Sequence, residues 1–211
     1  MSKQLIIIEC IKKLNRPIFT TREITDLSGK SASNVTQTLN YLAQHNAIKK
    51  LHRGVWGEVT SKLISPYMLI PHLFTSTRVY VSFLSALHLH GIIEQIPQTI
   101  TLASTTHTKK IRTAIGVFAV HQILPEFFSG FDWYKGTVSF LIAQPEKALA
   151  DCLYLYTKKK KQYGHFPELN LKKPFRIQKV IEWIEKIPDQ KSIVAAKAKL
   201  NEILSSKSTS L

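Results

Sequence analysis

NAIKKLHRGVWGEV, residues 46–59, reads as two short strand-like runs that meet at His52-Arg53-Gly54. Lys49, Lys50 and Arg53 crowd the bend, and Trp56 follows just beyond it. Hairpin tips are ordinarily polar, but this much charge beside an aromatic raises the question of what the turn faces. The residues before it supply the context. SKQLIIIECIKKL (2–14) places Leu5, Ile8, Ile11 and Leu14 on one side of a helix that Pro17 ends. FTTREITDLSG (19–29) offers Thr21 as N-cap, Ile24 and Leu27 as a buried pair and Gly29 as the stop. A third helix opens at Ser31, carries Val35, Leu39 and Leu42 as its apolar stripe, and ends at Asn46. Three helices followed by a two-stranded ribbon, in about sixty residues, is the plan of a winged helix-turn-helix.

With Val35, Leu39 and Leu42 turned inward, the opposite face of helix 3 shows Ser33, Thr36, Gln37, Asn40 and Gln44. A solvated helix face normally alternates acids and bases; this one carries only short hydrogen-bonding groups. Such groups can read base edges in a major groove, where Gln and Asn pair bidentately with adenine. Charge stands at the margins instead: Arg22 on helix 2, Lys30 before helix 3, and Lys49, Lys50 and Arg53 on the ribbon. Phosphates flank a groove, so the pattern matches backbone clamping around a readout face. Residues 1–60 hold nine basic against four acidic side chains, net +5. The spacing therefore predicts double-stranded DNA as a partner, with Trp56 packing the ribbon onto the helices rather than stacking on a base. The plain alternative is a winged helix used for protein contact.

The whole chain of 211 residues carries 29 basic and 14 acidic residues, net +15, with pI near 9.8. Such an excess argues for a polyanionic partner, and an apolar content of 44% with 20% charged is ordinary for a globular protein, so disorder is not the default. Cys10 and Cys152 cannot build a disulfide framework or a cysteine zinc site. The apolar patch in MSKQLIIIECIKK is too short for a signal peptide, and no run approaches the roughly 18 apolar residues that span a bilayer. A soluble, cytoplasmic protein with no membrane contact is expected.

After Ser61 the character changes, which sets the expected domains at 1–61 and 62–211. SPYMLIPHL (65–73) reads as a linker or an extended docking segment. YVSFLSALHLHG (80–91) reads as an amphipathic helix with Tyr80, Phe83, Leu84 and Leu87 inward and Gly91 as terminator. Ser82, Ser85 and Ala86 suit close packing. Strand-like runs follow at QTITLAS (98–104), GVFAVHQIL (116–124) and TVSFLIA (137–143). QPEKALADCLYLYT (144–157) returns to helix, with Pro145 early. Pro174 introduces a helix bearing Ile177, Val180, Ile181, Ile184 and Ile187, and Pro188 separates it from a last helix over Ser192–Leu204. The fold class predicted is α+β: an N-terminal winged helix-turn-helix, then a mixed α/β domain ending in helices.

RGVWG (53–57), YVSFLSALHLHGIIEQIP (80–97) and QPEKALADCL (144–153), in that order and spacing, resemble the AbiEi-type antitoxins and their relatives. These are bacterial regulators of phage-defence toxin–antitoxin operons. The resemblance runs from about Thr20 to Tyr156. It implies a winged helix that represses its own operon at operator inverted repeats, as monomer or dimer. It also implies a C-terminal α/β domain that neutralises a nucleotidyltransferase-like toxin. The alternatives are a solitary winged-helix regulator, a protein-interaction module, or an RNA-binding factor.

Other constellations point to less. His88 and His90 lie two apart on a helix, about 200° around it, and cannot share an ion. Asp132 with Glu146 and Lys147 resembles a nuclease core only loosely, because Glu146 and Lys147 are adjacent and diverge. Glu146 sits in a first helical turn, where a carboxylate complements the dipole, and Asp151, five residues on, falls on a different side. No phosphate-binding glycine loop, G-x-S-x-G or H-E-x-x-H appears, so neither enzyme activity, nor a metal, nor a cofactor is expected. Lys109, Lys110 and Arg112, and then Lys158, Lys159, Lys160 and Lys161 with Lys172, Lys173 and Arg176, form a second basic zone. It could extend a DNA footprint, meet an acidic toxin or RNA, or be a solvated loop.

Overall fold

The computed structural model describes residues 3–59, 64–158, 166–172 and 174–205. The chain divides into two units, Met1–Thr75 with Arg112–Gly116, and Ser76–Ile111 with Val117–Leu211. The first contains α1 (Lys3–Leu14), β1 (Ile18–Thr20), α2 (Thr21–Ser28), α3 (Ala32–Gln44), β2 (Ile48–His52) and β3 (Val55–Glu58). Its sheet has the order β1-β3-β2, antiparallel throughout, with Phe19 and Lys50 both opposite Trp56. Helices and strands in this sequence are compatible with a winged helix. The ribbon is three-stranded rather than two-stranded. Ile18-Phe19-Thr20, only three residues between Pro17 and a helix cap, is too short to show an alternating pattern.

Ile7, Cys10, Ile11, Phe19, Ile24, Val35, Leu39, Leu42, Ile48 and Trp56 form the core of this unit. The buried face of α1 is thus Ile7-Cys10-Ile11, with Ile8 and Leu14 packed at its edge, and not the face that includes Leu5, which is 45% exposed. A run of Leu and three Ile satisfies helical spacing in two registers, and packing against α2 and α3 selects one of them. Leu27 is also exposed. α2 opens one residue earlier than its sequence suggests, with Thr20 as N-cap. Thr20 Oγ1 accepts from the Glu23 N–H, and Glu23 accepts from the Thr20 N–H at 2.7 Å. This reciprocal capping box satisfies two of the donors a helix start leaves unpaired. Gly29 closes α2 at φ +63°, a left-handed position.

Residues 65–73 are not an extended linker. Ser65 caps a 3-10 turn over Pro66–Leu69, and α4 (Ile70–Leu73) follows, burying Leu69, Ile70 and Phe74. Both prolines sit at helical starts, where a missing N–H costs nothing.

The second unit contains β4 (Tyr80–Val81), α5 (Phe83–Leu89), β5 (Thr99–Ser104), β6 (Lys109–Thr113) and β7 (Gly116–Gln122) apart from Arg112, Thr113 and Gly116, which group with the first unit, then β8 (Phe131–Trp133), β9 (Leu141–Ala143), α6 (Pro145–Lys158), α7 (Ile177–Ile184) and α8 (Gln190–Ser205). The six strands run in the order β6-β7-β5-β4-β9-β8. β5 pairs with β7 and β4 with β9 in parallel, whereas β4–β5 and β8–β9 are antiparallel. Tyr80 and Val81 belong to this sheet and not to the helix expected there, because Tyr80 lies opposite Ala103 and Val81 opposite Leu102 and Ile142. The chain breaks from strand to helix at Phe83, whose φ of +56° is left-handed and strained for a bulky residue. Thr101 Oγ1 fixes the break by donating to the Ser82 carbonyl at 2.8 Å. α6 is buried from Glu146 to Leu155 and is packed by α5, α7 and α8. Among the described residues no helix is long and apolar enough to cross a membrane.

Candidate nucleic-acid interface

α3 is fixed at its start by Ser31, whose hydroxyl accepts from the Asn34 N–H, and along its length by Val35, Leu39 and Leu42, all buried. Its other face therefore points outward. Ser33, Thr36, Gln37 and Gln44 are exposed and Asn40 is half-buried. No residue of α3 is charged. The same face holds Tyr41, 43% exposed and with its ring 4.1 Å from that of His45. Tyr41 was not among the residues the sequence singled out, since an aromatic beside an apolar stripe carries no sign of exposure.

The hairpin turns at Gly54, with φ +72°, a conformation that disfavours any side chain. Trp56 is 1% exposed, and its indole N–H donates to Thr21 Oγ1 at 2.9 Å. The Thr21 N–H in turn donates to the Gly54 carbonyl at 2.9 Å. Thr21 is thus the tie between the hairpin turn and the start of α2, not the helix cap. Thr20, Thr21, Arg22, Thr25, Ala32 and Gly54 line one recess, so the hairpin turn and the starts of α2 and α3 lie side by side.

Around this surface Lys30, Lys49, Lys50 and Arg53 are exposed. The Arg22 side chain is 92% exposed and stands 4.0 Å from Asp26. Lys49 and Lys50 are consecutive on a strand and point to opposite faces. Lys50 shares the face of Trp56, with its ammonium 5.4 Å from the ring centre. Of the second basic zone, Lys109, Lys110, Arg112 and Lys158 are exposed. Arg112 groups with the first unit and the other three with the second. Lys159, Lys160, Lys161 and Lys173 lie outside the described residues.

Two titratable groups tie the first unit to pH. Burial alone raises the Glu23 carboxyl, but hydrogen bonds from Arg16 Nη2 at 2.6 Å and from Thr20 outweigh it and hold the group below the usual carboxylate range. Burial draws the His72 imidazole below its usual range. Both folded-state values lie under the unfolded ones, so both groups contribute stability at neutral pH that is lost on acidification. Thermal melts are expected to show a first loss as pH falls through about 6.5, from His72, and a second below about 4.5, from Glu23. Glu23→Gln is expected to lower stability at neutral pH and to flatten the second loss; an unchanged acid limb in that variant would contradict the assignment.

The second unit holds a polar cluster built on Lys147 and Asp151, residues whose sequence context points to a structural role. Lys147 and Asp151 form an ion pair one helical turn apart on α6, both fully buried. Asp151 Oδ2 accepts from Ser82 Oγ at 2.6 Å and from the Tyr80 hydroxyl at 3.0 Å, and Lys147 Nζ donates to the Tyr80 oxygen at 3.1 Å. The ammonium also lies 4.0 Å from the Phe127 ring centre and 5.1 Å from that of Trp183. Burial pushes Asp151 up and Lys147 down, each opposed by the charge of the other, and drives the Tyr80 phenol well up. With no access to solvent, the cluster can fasten the β4–α5 turn to α6 but cannot meet a partner. The signal in the sequence was the Lys147–Asp151 spacing of four, not the Glu146–Asp151 spacing of five.

Glu146 is buried and accepts from the Arg176 N–H at 3.0 Å, whereas Asp132 is exposed. The His90 Nε2–H donates to the Ala143 carbonyl at 2.8 Å. Among the described residues no three His, Cys, Asp or Glu side chains gather as metal ligands would.

A search of curated proteins finds no match to the chain. The model of the family described as Firmicute plasmid replication protein (RepL) matches residues 3–65, the span from α1 through the β2–β3 hairpin and no part of the second unit.

Proposed function

We propose that the first unit is a winged helix-turn-helix that binds double-stranded DNA, with α3 as its reading helix and the β2–β3 hairpin as its wing. One observation carries this reading: the exposed face of α3 is uncharged and hydrogen-bonding, while cations on α2 and the hairpin flank it. The match to a family named for plasmid replication supports DNA as the partner. Ser33, Thr36, Gln37 and Asn40 read base edges; Arg22, Lys30, Lys49, Lys50 and Arg53 grip phosphates, so binding weakens steeply with salt as counterions are released. This is a binding protein, with no catalytic step.

The finer reading, resting on the resemblance of RGVWG, YVSFLSALHLHGIIEQIP and QPEKALADCL to the AbiEi-type antitoxins, is an autorepressor. It acts at inverted repeats before its own gene and also neutralises a nucleotidyltransferase-like toxin. A second reading, favoured by the family match over residues 3–65, puts the same surface on plasmid DNA in the service of replication.

Gel shifts on DNA from upstream of the gene test the common part. Gln37→Ala and Asn40→Ala are each expected to reduce discrimination between cognate and scrambled DNA by about 1–3 kcal/mol. Unchanged sequence preference in both variants would remove α3 from the reading role. Arg53→Ala is expected to weaken cognate and scrambled DNA alike, and a purely sequence-selective loss would contradict a phosphate grip. Growth rescue on co-expression with an adjacent nucleotidyltransferase-like gene product separates the antitoxin reading from the replication reading.

A further inference from the structure

The second unit contains a cleft that the DNA reading leaves unused. It has a volume of about 640 Å³ and opens between the starts of α6 and α7. Backbone N–H donors fasten its walls. The Asn170 N–H donates to the Ile92 carbonyl at 2.6 Å, and the Arg176 N–H donates to Glu146 Oε1 at 3.0 Å. A further turn, from the Phe175 N–H to the Lys172 carbonyl at 3.0 Å, brings Lys172 and Arg176 to the same rim. Lys179 follows one helical turn after Arg176, and all three cations line the cleft.

The charge there is unbalanced. Among the described residues Glu146 is the only carboxylate on the wall, against three cations. None of Lys172, Arg176 and Lys179 makes an ion pair among the described residues. Solvated surface lysines ordinarily need no partner, but three cations converging on one concavity raise the local concentration of anions. The rest of the wall mixes apolar residues, Ile92, Pro145, Pro174 and Phe175, with the polar His90, Gln144 and Asn170. A lone phosphate would fill a small part of this volume, which lies within the range of about 300–1,000 Å³ usual for sites that enclose organic ligands. A ligand matching this wall carries several negative charges at one end and a flat ring with hydrogen-bonding edges at the other.

We propose that this cleft binds a nucleotide, with its phosphates on Lys172, Arg176 and Lys179 and its base against Phe175. The proposal is independent of DNA binding by the first unit and stands or falls separately from it.

Calorimetric titration of the full-length protein with ATP, GTP, inorganic tripolyphosphate and a 5′-phosphorylated single-stranded oligonucleotide tests it. Saturable binding of at least one free nucleotide is expected, tighter than that of tripolyphosphate. Arg176→Ala and Lys179→Ala are each expected to weaken nucleotide binding about tenfold or more, since a hydrogen bond to a charged group is lost. Phe175→Leu is expected to weaken the nucleotide but leave tripolyphosphate unchanged. Arg176 and Lys179 are not buried, so an unchanged melting curve establishes that these variants fold. No saturable binding of any free nucleotide would overturn the proposal. Binding indifferent to both cation replacements would do the same, as would tripolyphosphate binding as tightly as the nucleotides. Binding of the oligonucleotide alone would assign the cleft to nucleic-acid ends and overturn it too.

Discussion

Replacing Asp151 by alanine is expected to lower the stability of the second unit by about 3–5 kcal/mol, the usual cost of removing one member of a buried ion pair. The removal leaves the Lys147 ammonium buried against Phe127 and Trp183 without its counter-charge, and strips Ser82 and the Tyr80 hydroxyl of their acceptor. Burial already draws the Lys147 pKa down. Without Asp151 opposing that shift, the lysine sheds its proton to escape the charge penalty. The damage should therefore shrink as pH rises, because the folded pKa of Lys147 then lies well under its unfolded value. Lys147→Met together with Asp151→Leu is expected to recover most of the loss, since an apolar pair of similar volume has no charge to desolvate. Denaturant unfolding followed by far-UV circular dichroism measures both variants against the unsubstituted protein. A loss of under about 1 kcal/mol for Asp151→Ala would mean that the cluster does not hold α6 to the β4–α5 turn.

This cluster also shows where sequence reasoning stops. The periodic stripes of α3 and α7, the hairpin turn at Gly54 and the runs that became β5 and β7 were legible because each is local. Spacing along the chain decides them. The register of α1 was not, because LIII at residues 5–8 admits two faces and only packing chooses. β4 was lost inside an apparent helix. Tyr80 and Val81 fit a helical stripe as well as a strand, and what settles the matter is pairing with Leu102, Ala103 and Ile142, which lie far off in the chain. β6 was hidden by its composition, since three of the five residues in KKIRT are cationic and strands are recognised by apolar alternation. The uncharged face of α3 was read directly from residue types. The tie from Trp56 through Thr21 to Gly54 was not, because the indole and the hydroxyl are 35 residues apart in sequence.

That tie makes Trp56 the other position where a large effect is expected. Trp56→Ala should cost the first unit about 3–5 kcal/mol, the range for emptying a large aromatic site in a core. It also frees the Thr21 hydroxyl and removes the ring under Lys50. Of the two bonds through Thr21, the hairpin turn then keeps the Thr21–Gly54 backbone bond alone, so DNA affinity should fall together with the melting temperature. Trp56→Phe keeps a ring in the core but loses the N–H donor. Its expected cost is about 1–2 kcal/mol, with DNA binding changed only a few-fold. The two variants together separate two roles for the aromatic at the charged turn. Were Trp56 to stack on a base, Trp56→Ala would weaken DNA binding while leaving the melting temperature unchanged. A ring that is 1% exposed, with its only polar atom already bonded inside the unit, leads to the opposite result. Stability is lost first and binding follows it, so the cations of the wing depend on Trp56 for their position and not for their affinity.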